Sequence, residues 1–203
     1  MATSAASVAV VPGGGENVIS VLYALERIGA KPHLTLDPRV VESAERVILM
    51  GVGAAPPAMS KLAAHGLVSC LRNLKQPLLG ICVGMQLLFQ RSAEGDVACL
   101  GILPGRIERF PEMAGIVVPH KGWNSLRALR AENSLIQGVR EGDCVYFMNS
   151  YYAPVSNSTI GVCDHGVPIA AIVNERNVFG CQFHPERSGD VGELVLKNFL
   201  GIV

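Results

Sequence analysis

Between residues 7 and 91 the chain repeats one rhythm: a short apolar run, then a stretch with apolar residues every three or four positions. That alternation constrains the fold more than any other feature, because consecutive strands joined by helices run parallel. The run S-V-A-V-V at 7–11 reads as the first strand. After it Val18, Val21, Leu22, Leu25 and Ile28 share one helical face, with Asn17 as the N-cap and Gly29 as the stop. Strand-like runs at 33–36, 46–50 and 77–81 alternate with helical stretches at 57–75 and 83–91. A parallel sheet needs both faces covered, so the expected class is α/β, with a mostly parallel central sheet and flanking helices.

From about residue 105 the helices give way to short strand patterns at 105–110, 116–119, 144–148, 151–155, 159–163, 168–173 and 177–183. A closing helix is expected near 190–201. No linker, internal repeat or low-complexity segment divides the chain, so a single domain over 7–203 is expected, with extra strands in its C-terminal half. Lys+Arg and Asp+Glu both number 17, which leaves no net charge and no basic footprint for nucleic acid or an anionic membrane. Every long apolar stretch is broken by Gly, Pro or polar residues, which argues against a membrane span. Residues 1–15 lack a basic start and a continuous apolar segment, which argues against a signal peptide. The six cysteines, Cys70, Cys82, Cys99, Cys144, Cys163 and Cys181, are scattered, most of them inside apolar runs. Such thiols suit a reducing cytoplasm, and a cytoplasmic location is expected.

The stretch G-I-C-V-G at 80–84 has the spacing of a nucleophile elbow, with Cys82 at its apex. A nucleophile on a tight strand-to-helix turn holds a strained backbone, and flanking glycines let neighbouring chain approach. A thiol there stands at the start of the helix expected over 83–91, where the dipole favours thiolate over thiol. Alone, the same five residues also describe a buried cysteine at a Gly-flanked turn.

The stretch F-H-P-E at 183–186 bears on that choice. In extended chain, residues two apart point to the same side, so His184 and Glu186 can lie together. Pro185 biases His184 toward extended geometry. Glu186 can then fix the imidazole tautomer and leave the other ring nitrogen for a thiol. The elbow and the His–Glu pair in one chain favour a Cys82–His184–Glu186 triad over two unrelated features. A zinc site from Cys163, His165, Cys181 and His184 is the competing reading. It suffers because Cys181 and His184, an odd number apart, face opposite sides of a strand. P-G-G-G-E-N at 12–17 lacks the spacing of a phosphate loop. No metal and no cofactor is expected.

With G-I-C-V-G-M-Q at 80–86 and F-H-P-E together, the chain resembles the class I (triad-type) glutamine amidotransferases, whose fold is flavodoxin-like. P-H-K-G-W-N at 119–124, Y-F-M-N-S-Y at 146–151 and H-P-E-R-S-G at 184–189 resemble the glutaminase subunits of imidazole glycerol phosphate synthase. The similarity runs from about residue 7 to 203. It implies that Cys82 attacks the side-chain amide of glutamine, His184 shuttles the proton and Glu186 orients the ring. It implies an oxyanion site from the N–H of Val83 and one from Gly51, Val52 or Gly53. Gln86, Ser150 and Tyr151 match positions that hold glutamine. The implied partner is a (β/α)8-barrel cyclase subunit that receives the ammonia as a heterodimer, in histidine biosynthesis. Asn17, His120, Trp123, Asn124, Tyr146 and Arg187 match positions at or near that barrel.

The chain departs from the family pattern at several places. Pro12 and Glu16 stand in a loop that usually reads D-Y-G-x-G-N, and Met50 replaces the proline of P-G-V-G. Lys121 stands for a usual Met and Asn149 for a usual His. None belongs to the expected triad. Beside a glutaminase subunit serving another synthase, two other readings remain: a stand-alone cysteine amidase or peptidase, and an idle interaction module that keeps only the fold. The absence of a synthase domain in this chain favours an ammonia donor over the former, and an intact triad weighs against the latter.

Overall fold

A computed structural model of the chain describes residues 7–14, 18–112 and 116–201. The first half carries β1 (Ser7–Gly14), α1 (Ile19–Arg27), β2 (Lys31–Leu34), α2 (Pro38–Ser43) and β3 (Arg46–Gly51). It continues with α3 (Ala55–Ala64), α4 (Leu67–Asn73), β4 (Leu78–Cys82) and the single turn α5 (Val83–Gln86). Three short strands follow, β5 (Arg91–Ser92), β6 (Val97–Ala98) and β7 (Arg106–Arg109). Next come β8 (His120–Ser125), β9 (Cys144–Asn149) and β10 (Tyr151–Tyr152). β11 (Thr159–Asp164), β12 (Pro168–Glu175), β13 (Val178–Cys181) and α6 (Gly189–Gly201) close the chain.

Seven strands form the central sheet in the order β11-β12-β13-β4-β3-β1-β2. From β13 to β2 the pairing is parallel, and β11 and β12 add an antiparallel edge. The parallel core reads as continuous apolar chain because both faces are covered: every residue of β4, and five of six in β3, are buried. β2 at the edge is largely exposed, as an edge strand can be. β8 and β9 make a separate two-stranded ribbon.

The expected α/β class and mostly parallel sheet are present, and three local expectations are corrected. The helix expected over 57–75 is two helices, α3 and α4, divided at Gly66, which takes a left-handed φ of 68°. The helix expected over 83–91 stops at Gln86. Beyond it the carbonyls of Leu87, Leu88 and Phe89 accept from the N–H groups of Leu100, Ile102 and Gly101. A returning segment thus takes the acceptors that a longer helix would have used. The strand expected over 116–119 begins only at His120; Pro119 has no N–H to offer a ladder. The N-cap expected at Asn17 lies outside the described residues, as does Glu16.

Candidate active site

Three adjacent parallel strands deliver the site. β13, β4 and β3 end at one edge of the sheet, with Ile81 paired to Cys181 and Cys82 paired to Gly51. The crevice beyond the carboxyl ends of such strands is where open α/β sheets bind ligands. Cys82 leaves β4 with φ 55° and ψ −114°, a backbone state that costs a side-chain-bearing residue on the order of 1–3 kcal/mol. Close packing of α5 on the sheet enforces it. A Cβ on Gly84 would stand 1.8 Å from the Leu49 carbonyl oxygen, and one on Gly80 would stand 2.7 Å from Gly84 O. Both glycines of the elbow are therefore required by contact. Because α5 is one turn long, the dipole effect expected of a helix over 83–91 shrinks to that of a few local N–H groups.

His184 follows β13 and is fixed through its backbone. Its N–H donates to Tyr146 O at 2.9 Å, and the Ser188 hydroxyl donates to His184 O at 2.6 Å. The same hydroxyl accepts from Tyr146 N–H at 3.0 Å, so β9 and the histidine segment are laced together. Nδ1 of His184 and Oε1 of Glu186 are 2.8 Å apart, with both side chains essentially buried. The expected pair forms, but through a 3₁₀ turn at Pro185–Arg187 and not through extended chain. A ring whose Nδ1–H serves a carboxylate leaves Nε2 as its acceptor. Nε2 is buried and makes no hydrogen bond of its own. Burial opposes charge on this ring, but the Cys82 sulfur and the Glu186 carboxylate together outweigh it and raise His184 to about 10.

The Cys82 sulfur opens into a cavity of about 300 Å³ that His184 also lines. Val52, Gly53, Val83, Gln86, Ser150 and Tyr151, all expected at the site, line it as well. Gly51 lies beneath, against Gly84, and is not part of the wall. The Val52 N–H is committed to Gly14 O at 3.1 Å. Gln86 donates Nε2 to Tyr151 O at 2.8 Å. Asn149 is in the wall too; its Nδ2 donates to Tyr151 O at 2.9 Å and its Oδ1 has no partner.

Sequence reasoning missed Glu94, the one acidic residue among those lining the cavity. Its carboxylate accepts from Ala55 N–H at 2.7 Å, which ties the loop after α5 to the start of α3. Nothing in S-A-E-G-D distinguishes it from a solvated turn; only the fold brings it to the site.

The residues expected at a partner face divide. Trp123 is 58% exposed and stands edge-on to Tyr146, with ring centroids 6.0 Å apart. Arg187 places its guanidinium 4.8 Å from the Tyr146 ring centroid. Asn124 is half-buried and donates to Asp164 O at 2.8 Å. His120 departs from the expectation of surface contact: it is buried, stacked between Phe147 and His165. Asn17 lies outside the described residues. Among the described residues no group of three or more His, Cys, Asp or Glu is placed to hold a metal, and no helix is long and apolar enough to cross a membrane.

Comparison with known proteins bears on the family of the whole chain. Residues 19–202 match the model of the glutamine amidotransferase class-I family. The imidazole glycerol phosphate synthase subunit HisH of Xylella fastidiosa (strain Temecula1) is 51% identical over 193 residues, covering 95% of this chain and 96% of the relative. The subunit of the same name from Xanthomonas oryzae pv. oryzae is equally similar, at 51% over 193 residues. Among solved structures, a putative GMP synthase subunit from Thermoplasma acidophilum superposes with a TM-score of 0.75 at 17% identity, covering 98% of this chain and 94% of that one. PurLQS from Thermotoga maritima gives a TM-score of 0.69 at 20% identity, covering 97% and 98%. At those identities the two structures speak to the fold, whereas the family match and the closely similar sequences speak to descent: the chain belongs to the class-I glutamine amidotransferase family.

Proposed function

We propose that the chain is the glutaminase subunit of an imidazole glycerol phosphate synthase. It releases ammonia from glutamine and delivers it to a (β/α)8-barrel cyclase subunit for histidine biosynthesis. The observation that carries this reading is the strained Cys82 opening into a cavity, beside a buried histidine whose far nitrogen is held by a buried carboxylate. In the first step the Cys82 thiolate attacks the side-chain carbonyl carbon of glutamine, forming the C–S bond. The negative oxygen meets the Val83 N–H and a donor from the Gly51–Gly53 segment. His184 then gives its proton to the departing nitrogen, ammonia leaves, and a glutamyl thioester remains. Water attacks the thioester while His184 takes its proton, the C–S bond breaks to return the Cys82 thiolate, and glutamate is released. Gln86, Ser150 and Tyr151 hold the substrate, and the Glu94 carboxylate suits its α-ammonium group.

Two features support a partner over a stand-alone amidase. Trp123 and Met148 are exposed large apolar side chains on one face of the ribbon, beside Lys121, and Met148 itself lines the site. The Val52 N–H, one of the three that the Gly51–Gly53 segment offers, is occupied by Gly14 O. The isolated chain is therefore expected to turn over glutamine slowly until a partner shifts that segment. Glutamate release is measured with and without the cyclase and its nucleotide ligand; full activity in isolation rejects the proposal. Cys82→Ala is expected to abolish glutamine-dependent synthesis while ammonium salts still support it. Loss of both assigns Cys82 to folding or docking.

A further inference from the structure

Directly beneath the nucleophile lies a polar side chain that the mechanism above leaves unused. Gln182 extends β13, its N–H donating to Ala171 O at 2.9 Å, and is 0% exposed. A wholly buried primary amide calls for partners on both ends. Its Oε1 accepts from Gln86 Nε2 at 2.9 Å, and its Nε2 approaches Cys82 Sγ at 4.0 Å. The orientation is not arbitrary. Tyr151 O is a backbone carbonyl and can only accept, so Gln86 presents its amide nitrogen there, at 2.8 Å. The second hydrogen of that nitrogen then faces Gln182, which answers with its oxygen and turns its own nitrogen toward the sulfur. One main-chain acceptor thereby sets the direction of the whole row, which ends on the reacting atom.

The row has a chemical consequence. A neutral thiol is a weak acceptor, and a separation of 4.0 Å is long for an N–H donor to it. Once the sulfur is anionic the same contact is charge-assisted, shorter and stronger. His184 offers a proton from one side, but that proton is spent on ammonia once the sulfur has bonded to carbon, so the thiolate later expelled from the thioester needs a donor that stays. A fixed amide donor does not leave.

We infer that Gln182 is a positioning residue that donates its amide N–H to the Cys82 thiolate, holding the charged sulfur in place before it attacks glutamine and again as it is expelled from the thioester. This inference rests on the reading of Cys82 as nucleophile. Its effect is on the reactivity of sulfur and not on the affinity for glutamine.

The test is competitive alkylation of the full chain with iodoacetamide, read at Cys82 and at exposed Cys144 by peptide mass spectrometry across pH. Cys144 serves as the reference thiol in the same sample. Gln182→Leu removes the donor, and it also takes a partner from Gln86. Gln182→Glu keeps an acceptor for Gln86 and withdraws the donor whenever it is ionised, so it decides alone if the Leu variant does not fold. The expected result in each folded variant is a drop of about tenfold or more in the Cys82:Cys144 rate ratio near neutral pH, with the Cys82 profile moved to higher pH. In Gln182→Glu, which keeps the acceptor for Gln86, glutamine turnover falls through kcat with KM nearly unchanged. A ratio within about twofold of wild type, or a loss confined to KM, overturns the inference and makes Gln182 a support for Gln86. If wild-type Cys82 itself reacts no faster than Cys144 and no glutamate is released, the nucleophile reading fails instead.

Discussion

Gly84 lies so close to Leu49 that a Cβ on the glycine would stand 1.8 Å from the leucine carbonyl oxygen. That contact seats the first turn of α5 on β3 and forces the chain to reverse at Cys82. Gly84→Ala is expected to destabilise the protein by about 1–3 kcal/mol or more, as overpacking of a rigid backbone contact does. It is also expected to remove the selective alkylation of Cys82. Urea unfolding together with peptide-resolved alkylation checks both, and a variant with wild-type stability and reactivity would show that the contact relaxes freely.

His184 and Glu186 have separable roles, and substitution distinguishes them. His184→Ala removes the group proposed to move the proton, and glutamate release in the partner-bound enzyme is expected to fall by about 10²–10⁴-fold. Glu186→Gln can still accept from Nδ1, so its loss is expected to be smaller, although Oε2 is buried without a partner and an amide there gains none. Equal losses would mean that Glu186 does more than orient the ring.

The raised His184 also carries a signature in stability. Burial opposes its charge, but Cys82 and Glu186 prevail, so the folded ring holds its proton up to about 10 where the free side chain releases it near 6.5. Its contribution is therefore full below about 6.5 and declines as pH climbs toward 10. Subtracting the stability curve of His184→Asn from that of wild type is expected to leave a difference that falls across this window. Parallel curves would place the ring neutral in the folded protein.

Much of this arrangement was legible in the residues alone because its causes are local. The alternation of apolar runs and helical faces specified the parallel core, and G-I-C-V-G specified the elbow because only glycine tolerates the contacts at 80 and 84. The His–Glu pair was legible by proximity, although a 3₁₀ turn brings it together where the spacing suggests extended chain. What stayed hidden depends on segments distant in sequence. Glu94 reaches the cavity through its bond to Ala55, and α5 ends early because Leu100–Ile102 takes its acceptors. His120 was expected at or near a partner from the stretch P-H-K-G-W-N, yet rings from Phe147 and His165 enclose it.

Enclosure of His120 predicts acid sensitivity of the ribbon. Burial, reinforced by neighbouring His165, lowers His120 to about 4 from 6.5. Asn124 Nδ2 lies 3.2 Å from its Nε2, and its Nδ1 is buried without a partner. A ring held neutral in the folded state contributes stability that is present above about 6.5 and lost as pH falls toward 4. His120→Gln is expected to flatten that part of the stability curve relative to wild type, even if it lowers the plateau. An unchanged acid limb in the variant would assign the acid loss to other groups.

Trp123 offers the sharpest test of the proposed docking face. It is the only tryptophan in the chain, it is 58% exposed, and it sits edge-on to a tyrosine that Arg187 covers from another side. An exposed ring braced by neighbours loses little entropy when a partner covers it, which is how a few aromatic and arginine side chains come to dominate an interface. Trp123→Ala is expected to weaken binding of the barrel cyclase by about tenfold or more, corresponding to at least about 1.4 kcal/mol. Because the ring is exposed, thermal stability of the isolated chain should change little. Titration calorimetry against the cyclase measures the first and a melting curve the second. Undiminished affinity would move the docking face off β8, and a large loss of stability would return Trp123 to the packing of the ribbon.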